Sequence, residues 1–133
     1  MIRASGVLIV LLTNAVPAMG RGGGRETHMH AQVVTFGLNG ITEEQFREAC
    51  GADAPTLATL PGLLAKVWLR DPETNTYGGL YLWADQEAYE RYIKGEVFNA
   101  IKADQNLKNV ESRDFGVFDD LSSITMPKLR VDA

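Results

Sequence analysis

The chain is poor in the residues that many enzymes use for catalysis and metal binding. It has one cysteine, Cys50, among 133 residues, which excludes an internal disulfide and a cysteine-based metal cluster. Its two histidines, His28 and His30, stand together near the start. A Ser-His-Asp triad, a three-histidine zinc site or a histidine–carboxylate iron site would have to be built on those two positions. Those classes of site are therefore disfavoured.

Positive charge and long apolar runs are also scarce. The 13 lysines and arginines are scattered and outnumbered by 17 acidic residues, so the sequence lacks the basic patch of a nucleic-acid-binding protein. An apolar run from Gly6 to Leu12 is far shorter than the roughly 18 residues that a transmembrane helix needs. The sequence thus predicts no nucleic-acid or membrane partner. A hydrophobic content of 45% suits one globular domain with a sizeable core.

The first 28 residues differ in character from the rest. Arg3 and the short apolar run fit a signal peptide, whereas a Gly/Arg-rich stretch follows them. We favour a translation start at Met29, because Gly24–Glu26 can be encoded by a purine-rich run where a bacterial ribosome-binding site would lie. Residues 1–28 are then a disordered leader, and residues 29–133 form a cytoplasmic domain. If the first 18–20 residues are a genuine signal peptide, the protein is secreted.

Patterns of apolar and turn-forming residues predict the secondary structure of the domain. Thr42 can cap a helix, with Gln45 completing a capping box, and Pro55 kinks or ends that helix. Asp85 caps a second helix, which Gly95 interrupts before the pattern resumes. The tail from Asp120 is expected to pack only in part. Predicted strands are Ala31–Asn39, Leu63–Arg70, Thr76–Ala84 and Val110–Phe118, the middle two being joined in a hairpin at Asp71–Asn75.

The order strand, helix, hairpin, helix, strand predicts an α+β fold. Short connections and right-handed crossovers turn this order into a four-stranded antiparallel sheet with both helices on one face. This is the ferredoxin-like βαββαβ arrangement.

Alternation along the hairpin gives the sheet two different faces. Leu63, Ala65, Val67 and Leu69 share an aliphatic face with Leu80 and Leu82, and we assign that face to the helices. The opposite face is aromatic and carries two cations, and it is too apolar to leave in water. The sequence therefore predicts a homodimer in which a second copy covers this face and encloses a cavity between sheets. The residues of this face are Lys66, Trp68, Arg70, Tyr77, Tyr81 and Trp83.

Three stretches resemble the YdhR-like monooxygenase family of the dimeric α+β barrel superfamily. They are "PGLLAKVW" (61–68), "GGLYLW" (78–83) and "FGVFDDLSSIT" (115–125), and the likeness runs from about Val33 to Thr125. The resemblance implies ferredoxin-like protomers that close a barrel on dimerisation. It also implies an oxygenase activity, because relatives oxidise polyketide phenols to quinones without metal or flavin. It supplies no catalytic residues, so candidates must come from the sequence itself.

Ground-state oxygen is a triplet and reacts slowly with closed-shell molecules unless something donates one electron. The sequence lacks an evident metal cluster or phosphate-binding loop, so the substrate itself must be the reductant, as a phenolate or enolate. Such a reaction needs a dry pocket, a cation and aromatic walls. We predict Lys66 and Arg70 as catalytic residues, with no cofactor and no metal. The predicted residues for binding a small aromatic substrate are Trp68, Tyr77, Tyr81, Trp83 and Arg113.

Other interpretations stay open. The same dimer can sequester an aromatic metabolite without converting it, and the aromatic face can simply be dimer core. Haem degradation, a third activity of the superfamily, is disfavoured because such enzymes use an axial histidine on the second helix, and Asp85–Ala103 contains none. Cys50 is expected to be a small core residue rather than a nucleophile.

Overall fold

The computed structural model of the protein describes residues 28–128. The predictions for the leader and for the last five residues lie outside this range. The elements, in chain order, are β1 (His30–Leu38), α1 (Glu43–Leu57), β2 (Leu63–Asp71), a 3-10 turn (Pro72–Thr74), β3 (Thr76–Trp83), α2 (Gln86–Ile93), α3 (Glu96–Ala103), β4 (Leu107–Gly116), α4 (Asp119–Thr125) and a second 3-10 turn (Met126–Lys128).

The four strands form one antiparallel sheet in the order β2-β3-β1-β4. This confirms the predicted ferredoxin-like α+β fold. Side chains of α1, α2 and α3 pack on one face of the sheet, which we call the inner face, and the core cluster lies between them.

The first helix begins where the sequence predicts. Thr42 Oγ1 accepts a hydrogen bond from the backbone N–H of Gln45 at 3.0 Å, and Gln45 Oε1 accepts one from the backbone N–H of Thr42 at 2.9 Å. This capping box satisfies two backbone donors that the first turn leaves without partners. Pro55 lies inside the last turn, and the helix ends at Leu57, two residues later. A proline there has no N–H to continue the hydrogen-bond ladder.

Two residues of the hairpin fix its position against β1. Asn75 adopts a left-handed conformation with φ 52°, and its amide binds both the N–H and the C=O of Leu38, at 3.2 and 3.1 Å. Gly78 packs so closely on β1 that a Cβ atom would overlap the carbonyl oxygen of Val34. A side chain at position 78 would therefore force β3 away from β1.

The two faces of the sheet are the reverse of the prediction. Tyr77, Tyr81 and Trp83 are 4%, 2% and 0% exposed, and the rings of Tyr81 and Trp83 lie 5.3 and 4.9 Å from the ring of Tyr92 on α2. The aromatic face is thus the inner face, packed against the helices of the same chain. The assignment was wrong because aromatic side chains, whose polar tips find partners, fill the space between sheet and helix as well as aliphatic ones do.

The outer face is aliphatic and open in the single chain. Cross-strand pairing aligns Val67 with Leu80 and Val33, and Ala65 with Leu82 and Ala31. Within this surface Val67 is 40% exposed, Leu80 39% and Phe115 42%. A continuous apolar strip therefore crosses the sheet on the side away from the helices.

Polar side chains form a network at the far end of the inner face, near the start of β1. His30 Nε2 lies 2.7 Å from Oδ2 of Asp114, and the Tyr89 hydroxyl donates to Oδ1 of the same carboxylate at 2.9 Å. Gln32 bridges strands, donating to Ser112 Oγ at 2.9 Å. These bonds tie β4 to β1 and to α2 beneath the helices.

The C-terminal tail packs only in part, as expected, but it contains the helix α4, which was not predicted. Leu121 and Ile124 on this helix are 60% and 71% exposed, and Phe118 just before it is 77% exposed. None of the helices in residues 28–128 is long and apolar enough to cross a membrane.

Candidate active site

A cavity of about 80 Å³ lies between the inner face of the sheet and the helices. Its wall is mainly apolar and aromatic, with a small number of polar groups, as in most small-molecule sites. The polar groups are Cys50, Asp53, Lys66 and Asp104, and the large apolar and aromatic ones are Phe36, Phe46, Leu57, Trp68, Tyr81, Tyr92, Val97, Ile101 and Leu107.

The cation of the cavity is held between two aromatic rings. Lys66 Nζ lies 3.5 Å from the centroid of the Trp68 ring and 4.7 Å from that of Tyr81. Both distances are within the range of a cation–π interaction. Gly79, the cross-strand partner of Trp68, makes room for this arrangement, because a Cβ atom there would lie 2.7 Å from Lys66 Cε.

Asp53 on α1 lines the cavity together with Lys66. Partial burial raises the pKa of the Asp53 carboxyl to about 6, although the Lys66 charge acts in the opposite direction. The thiol of Cys50, one turn earlier on the helix, has its pKa raised by burial to about 11. Cys50 is therefore a thiol at neutral pH, consistent with its predicted role as a packing residue rather than a nucleophile.

Two tyrosine hydroxyls meet at the wall of the cavity. The hydroxyl oxygens of Tyr81 and Tyr92 are 3.1 Å apart, in a buried hydrogen bond. Burial, followed by the neighbouring Tyr81, raises the pKa of Tyr92 well above its ordinary value. Tyr92 thus stays neutral and serves as a hydrogen-bonding partner.

A wider groove of about 520 Å³ adjoins the cavity, since Phe46, Cys50 and Trp68 line both. Glu43 organises the groove: Arg70 Nε donates to Glu43 Oε2 at 2.8 Å, and the Tyr77 hydroxyl donates to Oε1 at 2.7 Å. The hydrogen bond from Tyr77, together with Arg70, lowers the pKa of Glu43. The same hydrogen bond raises the pKa of Tyr77. The pocket as a whole is therefore a small inner cavity with a broad, partly charged entrance.

The predicted site residues divide into three groups. Lys66, Trp68 and Tyr81 come together in the cavity, and Arg70 and Tyr77 lie with Trp68 along the groove. Trp83 is fully buried behind the cavity and hydrogen-bonded to Gln32, so it supports the wall rather than lining it. The catalytic and binding roles of these residues remain predictions.

Arg113 lies apart from the other predicted residues. It aligns with Val33 and Leu80 on the outer face, and its Cζ lies 5.0 Å from the centroid of the Phe115 ring. The sheet separates it from the cavity. The alternation of β4 alone did not show this, because Glu111, Arg113 and Phe115, which alternate on one face, do not mark that face as either apolar or polar.

Asp53 is one of the cavity residues that the sequence prediction missed. A signal was present, since Phe46, Cys50, Asp53 and Leu57 recur at helical spacing and all four line the cavity. An acidic residue on an otherwise apolar stripe points to a polar site within the core. Within residues 28–128, no three His, Cys, Asp or Glu side chains are grouped so as to hold a metal ion.

A comparison with known protein families identifies the family of this chain. A family model described as "Putative mono-oxygenase ydhR" matches residues 32–128. The chain therefore belongs to the ydhR family, as the motifs indicated. A search of curated proteins gives no significant match.

Several solved structures share the fold. A variant of SnoaB, a cofactor-independent oxygenase from Streptomyces nogalater, is 22% identical, with 68% of this chain and 94% of that chain covered and a TM-score of 0.55. A protein of unknown function from Nitrosomonas europaea is 15% identical (80% and 97% covered, TM-score 0.58). The heme-degrader MhuD from Mycobacterium tuberculosis is 16% identical (67% and 95%, TM-score 0.55). At these identities the likeness establishes the ferredoxin-like α+β fold and no more.

Proposed function

We propose that this protein is a cofactor-independent monooxygenase that oxidises a small phenolic or quinol substrate with O2. The observation that carries the proposal is the position of Lys66, whose ammonium group lies between two aromatic rings on the wall of a largely apolar cavity. Membership of the ydhR family and the fold shared with the oxygenase SnoaB support it. The cavity belongs to one protomer, between its sheet and its helices, rather than to a dimer interface.

The sizes of the two spaces suit an aromatic molecule that enters from the groove. Ligand pockets usually measure roughly 300–1,000 Å³, so the inner cavity of about 80 Å³ is too small for a fused-ring substrate. It has space for O2 and for one polar edge of a substrate. The groove of about 520 Å³ can hold the remaining rings against Phe46 and Trp68. The reacting edge then meets Lys66.

The chemistry needs no electron donor besides the substrate. Loss of the phenol proton gives a phenolate, which transfers one electron to O2 and leaves a phenoxyl radical beside superoxide. The two radicals combine at a ring carbon, and loss of water gives the quinone, so that one phenol and one O2 yield one quinone and one water. The Lys66 cation stabilises both the phenolate and the superoxide, in a site of low polarity where its charge acts strongly.

The second part of the proposal is a two-fold homodimer formed through the outer face. The exposed strip that includes Val67, Leu80 and Phe115 is apolar and crosses the sheet, as expected of an interface between copies. Pairing two such faces closes a barrel of two sheets. The helices and the cavities remain on the outside of the pair, each open to solvent through its own groove.

Oxygen uptake tests the enzymatic proposal. Full-length protein, freed of metal and flavin, is given hydroquinones and polycyclic phenols in an oxygen electrode. We expect uptake above the spontaneous rate, and we expect Lys66→Met to lower it by about 10²–10³-fold, as for loss of one preorganised electrostatic group. Lys102→Met is the matched control, since Lys102 also lies over an aromatic ring, Phe98 at 5.2 Å, but lines neither the cavity nor the groove.

Equal activity of the Lys66 and Lys102 variants would remove Lys66 from the reaction. Tight binding of a phenol without any uptake would instead identify a module that sequesters an aromatic metabolite. Neither uptake nor binding across the panel would contradict the proposed substrate class.

A further inference from the structure

We propose that Asp53 is the general base that takes the proton from the phenolic hydroxyl of the substrate, with Lys66 stabilising the phenolate that remains. This inference rests on the proposed function. It assigns Asp53 and Lys66, two of the charged groups that line the cavity, to separate tasks: the carboxylate accepts the proton and the ammonium group holds the anion.

The position of Asp53 supports this role. It lies on α1 at the wall of the cavity, and Lys66 enters the same cavity from β2 across the gap between helix and sheet. Phe46 and Trp68 line both the groove and the cavity, so a hydroxyl that enters from the groove reaches a space whose wall carries both the carboxylate and the ammonium group. The proposed step requires both groups to reach the same oxygen atom of the substrate.

The surroundings of Asp53 bring the pKa of its carboxyl close to neutral pH. Burial raises the pKa of the carboxyl to about 6, and the Lys66 charge limits the rise. A general base works best when its pKa is close to the working pH, because it is then largely ionised yet still binds a proton well. The other titratable groups that line the cavity are Cys50 on α1, Tyr81 on β3, Tyr92 on α2 and Asp104 just after α3.

The proposed step is a single proton transfer. The phenol O–H bond breaks, its electron pair stays on the phenol oxygen, and the proton forms a bond to a carboxylate oxygen of Asp53. The cavity keeps its total charge, since one negative charge moves from Asp53 to the substrate. The phenolate formed is the electron donor that O2 requires, and Asp53 returns its proton when water leaves.

Counting protons on binding tests this step without turnover. 4-Nitrophenol, whose absorption distinguishes phenol from phenolate, is titrated into the full-length protein without oxygen. Calorimetry in buffers of different ionisation enthalpy counts the protons exchanged. The bound probe should show phenolate absorption, and wild-type protein should take up about one proton per site more than Asp53→Asn does at neutral pH. Equal proton counts in the two proteins, or no binding of the probe, would overturn the assignment.

The pH dependence of turnover gives a second readout. For wild-type protein, kcat/KM should fall on the acid side with a pKa of about 6. Asp53→Asn should lose this acid limb and fall by about 10²–10⁴-fold, the usual contribution of a general base. Glu48→Gln, on an exposed part of the same helix outside the cavity and groove, should keep the wild-type profile. Retention of the acid limb in Asp53→Asn would contradict the inference.

A stability measurement separates chemistry from misfolding. A carboxyl whose folded pKa is raised costs stability as pH rises from about 4, its ordinary unfolded value, to about 6. Asp53→Asn should therefore be more stable than wild type at pH 7 and equally stable at pH 4.

If wild type shows the proton uptake but consumes no oxygen, Asp53 remains the base and the oxygenase proposal falls. If oxygen is consumed but the proton counts agree, only the Asp53 assignment falls.

Discussion

The indole N–H of Trp83 donates a hydrogen bond of 3.0 Å to Oε1 of Gln32, and both side chains are 0% exposed. Trp83 stacks parallel to Tyr81 at 5.8 Å and supports the wall of the cavity from behind. A polar side chain in the core thus fixes the orientation of the largest aromatic ring. Because both groups are buried, neither can exchange its partner for water.

Gln32→Leu should destabilise the protein by about 1–3 kcal/mol, because it leaves the indole N–H of Trp83 buried without an acceptor. The free energy of unfolding in urea measures the loss. Ser112→Ala is the comparison variant: it removes the other hydrogen bond of Gln32 but leaves the indole N–H of Trp83 with its acceptor. A loss as large for Ser112→Ala as for Gln32→Leu would argue against the Trp83 bond as the cause.

The Asp114 carboxylate should make the fold sensitive to acid. The hydrogen bond from His30, followed by the one from Tyr89, lowers the pKa of Asp114. A lowered folded pKa contributes stability above the unfolded value of about 3.9, and that contribution is lost as pH falls through the folded pKa. Asp114→Asn should therefore be less stable than wild type at pH 7, with the difference shrinking below about pH 4. A difference that stays constant between pH 7 and pH 3 would contradict this account.

Gly79→Ala tests the placement of Lys66 without changing any charge. The new methyl group would lie 2.7 Å from Lys66 Cε and 3.2 Å from Cε1 of Tyr81, so the flexible lysine chain must move away from the Trp68 ring. We expect little loss of stability, because the displaced atoms end a flexible side chain, and a drop in oxygen uptake of about tenfold or more. Unfolding and uptake measured on the same preparation check both parts. Unchanged uptake would mean that the position of Lys66 over Trp68 does not matter.

Leu80→Asp should convert the proposed dimer to a monomer, since it places a charge at the centre of the apolar outer face. Leu80 is 39% exposed in the single chain, so we expect the fold to survive. Light scattering gives the mass, and circular dichroism checks the fold. Leu64→Asp is the control: Leu64 is 53% exposed, lines a surface pocket together with Ala54 of α1 and Ala58 just after it, and has no cross-strand partner on β3. Dissociation of both variants, or of neither, would contradict the interface.

Local patterns were sufficient to predict most of the fold. The Thr42–Gln45 capping box, the turn at Asp71–Asn75 and the break at Gly95 each have a short-range physical cause, and each lies where it was expected. The helix α4 was missed. Its seven residues make few contacts with the rest of the domain, and its serines and threonine are weak helix formers.

The candidate site was harder to predict because it depends on which face of the sheet meets the helices. Alternation showed that Tyr81 and Leu80 point in opposite directions, but period-2 patterns cannot say which direction is inward when both faces are apolar. In the folded chain Tyr81 points inward, toward the helices. There its hydroxyl meets the hydroxyl of Tyr92, and its ring stacks on the ring of Trp83. The same long-range packing places Asp53 and Lys66 in the wall of one cavity.

The cavity lies between the sheet and the helices, on the side of the sheet away from the outer face, and this has a consequence for stoichiometry. A dimer built through the outer face would carry two complete sites, neither of which borrows a residue from the other subunit. Mixed dimers of one wild-type and one Lys66→Met subunit should then have half the turnover of the wild-type pair and the same KM. Dimerisation would then cover the apolar face of the sheet and keep the protein soluble, and each subunit would turn over substrate independently.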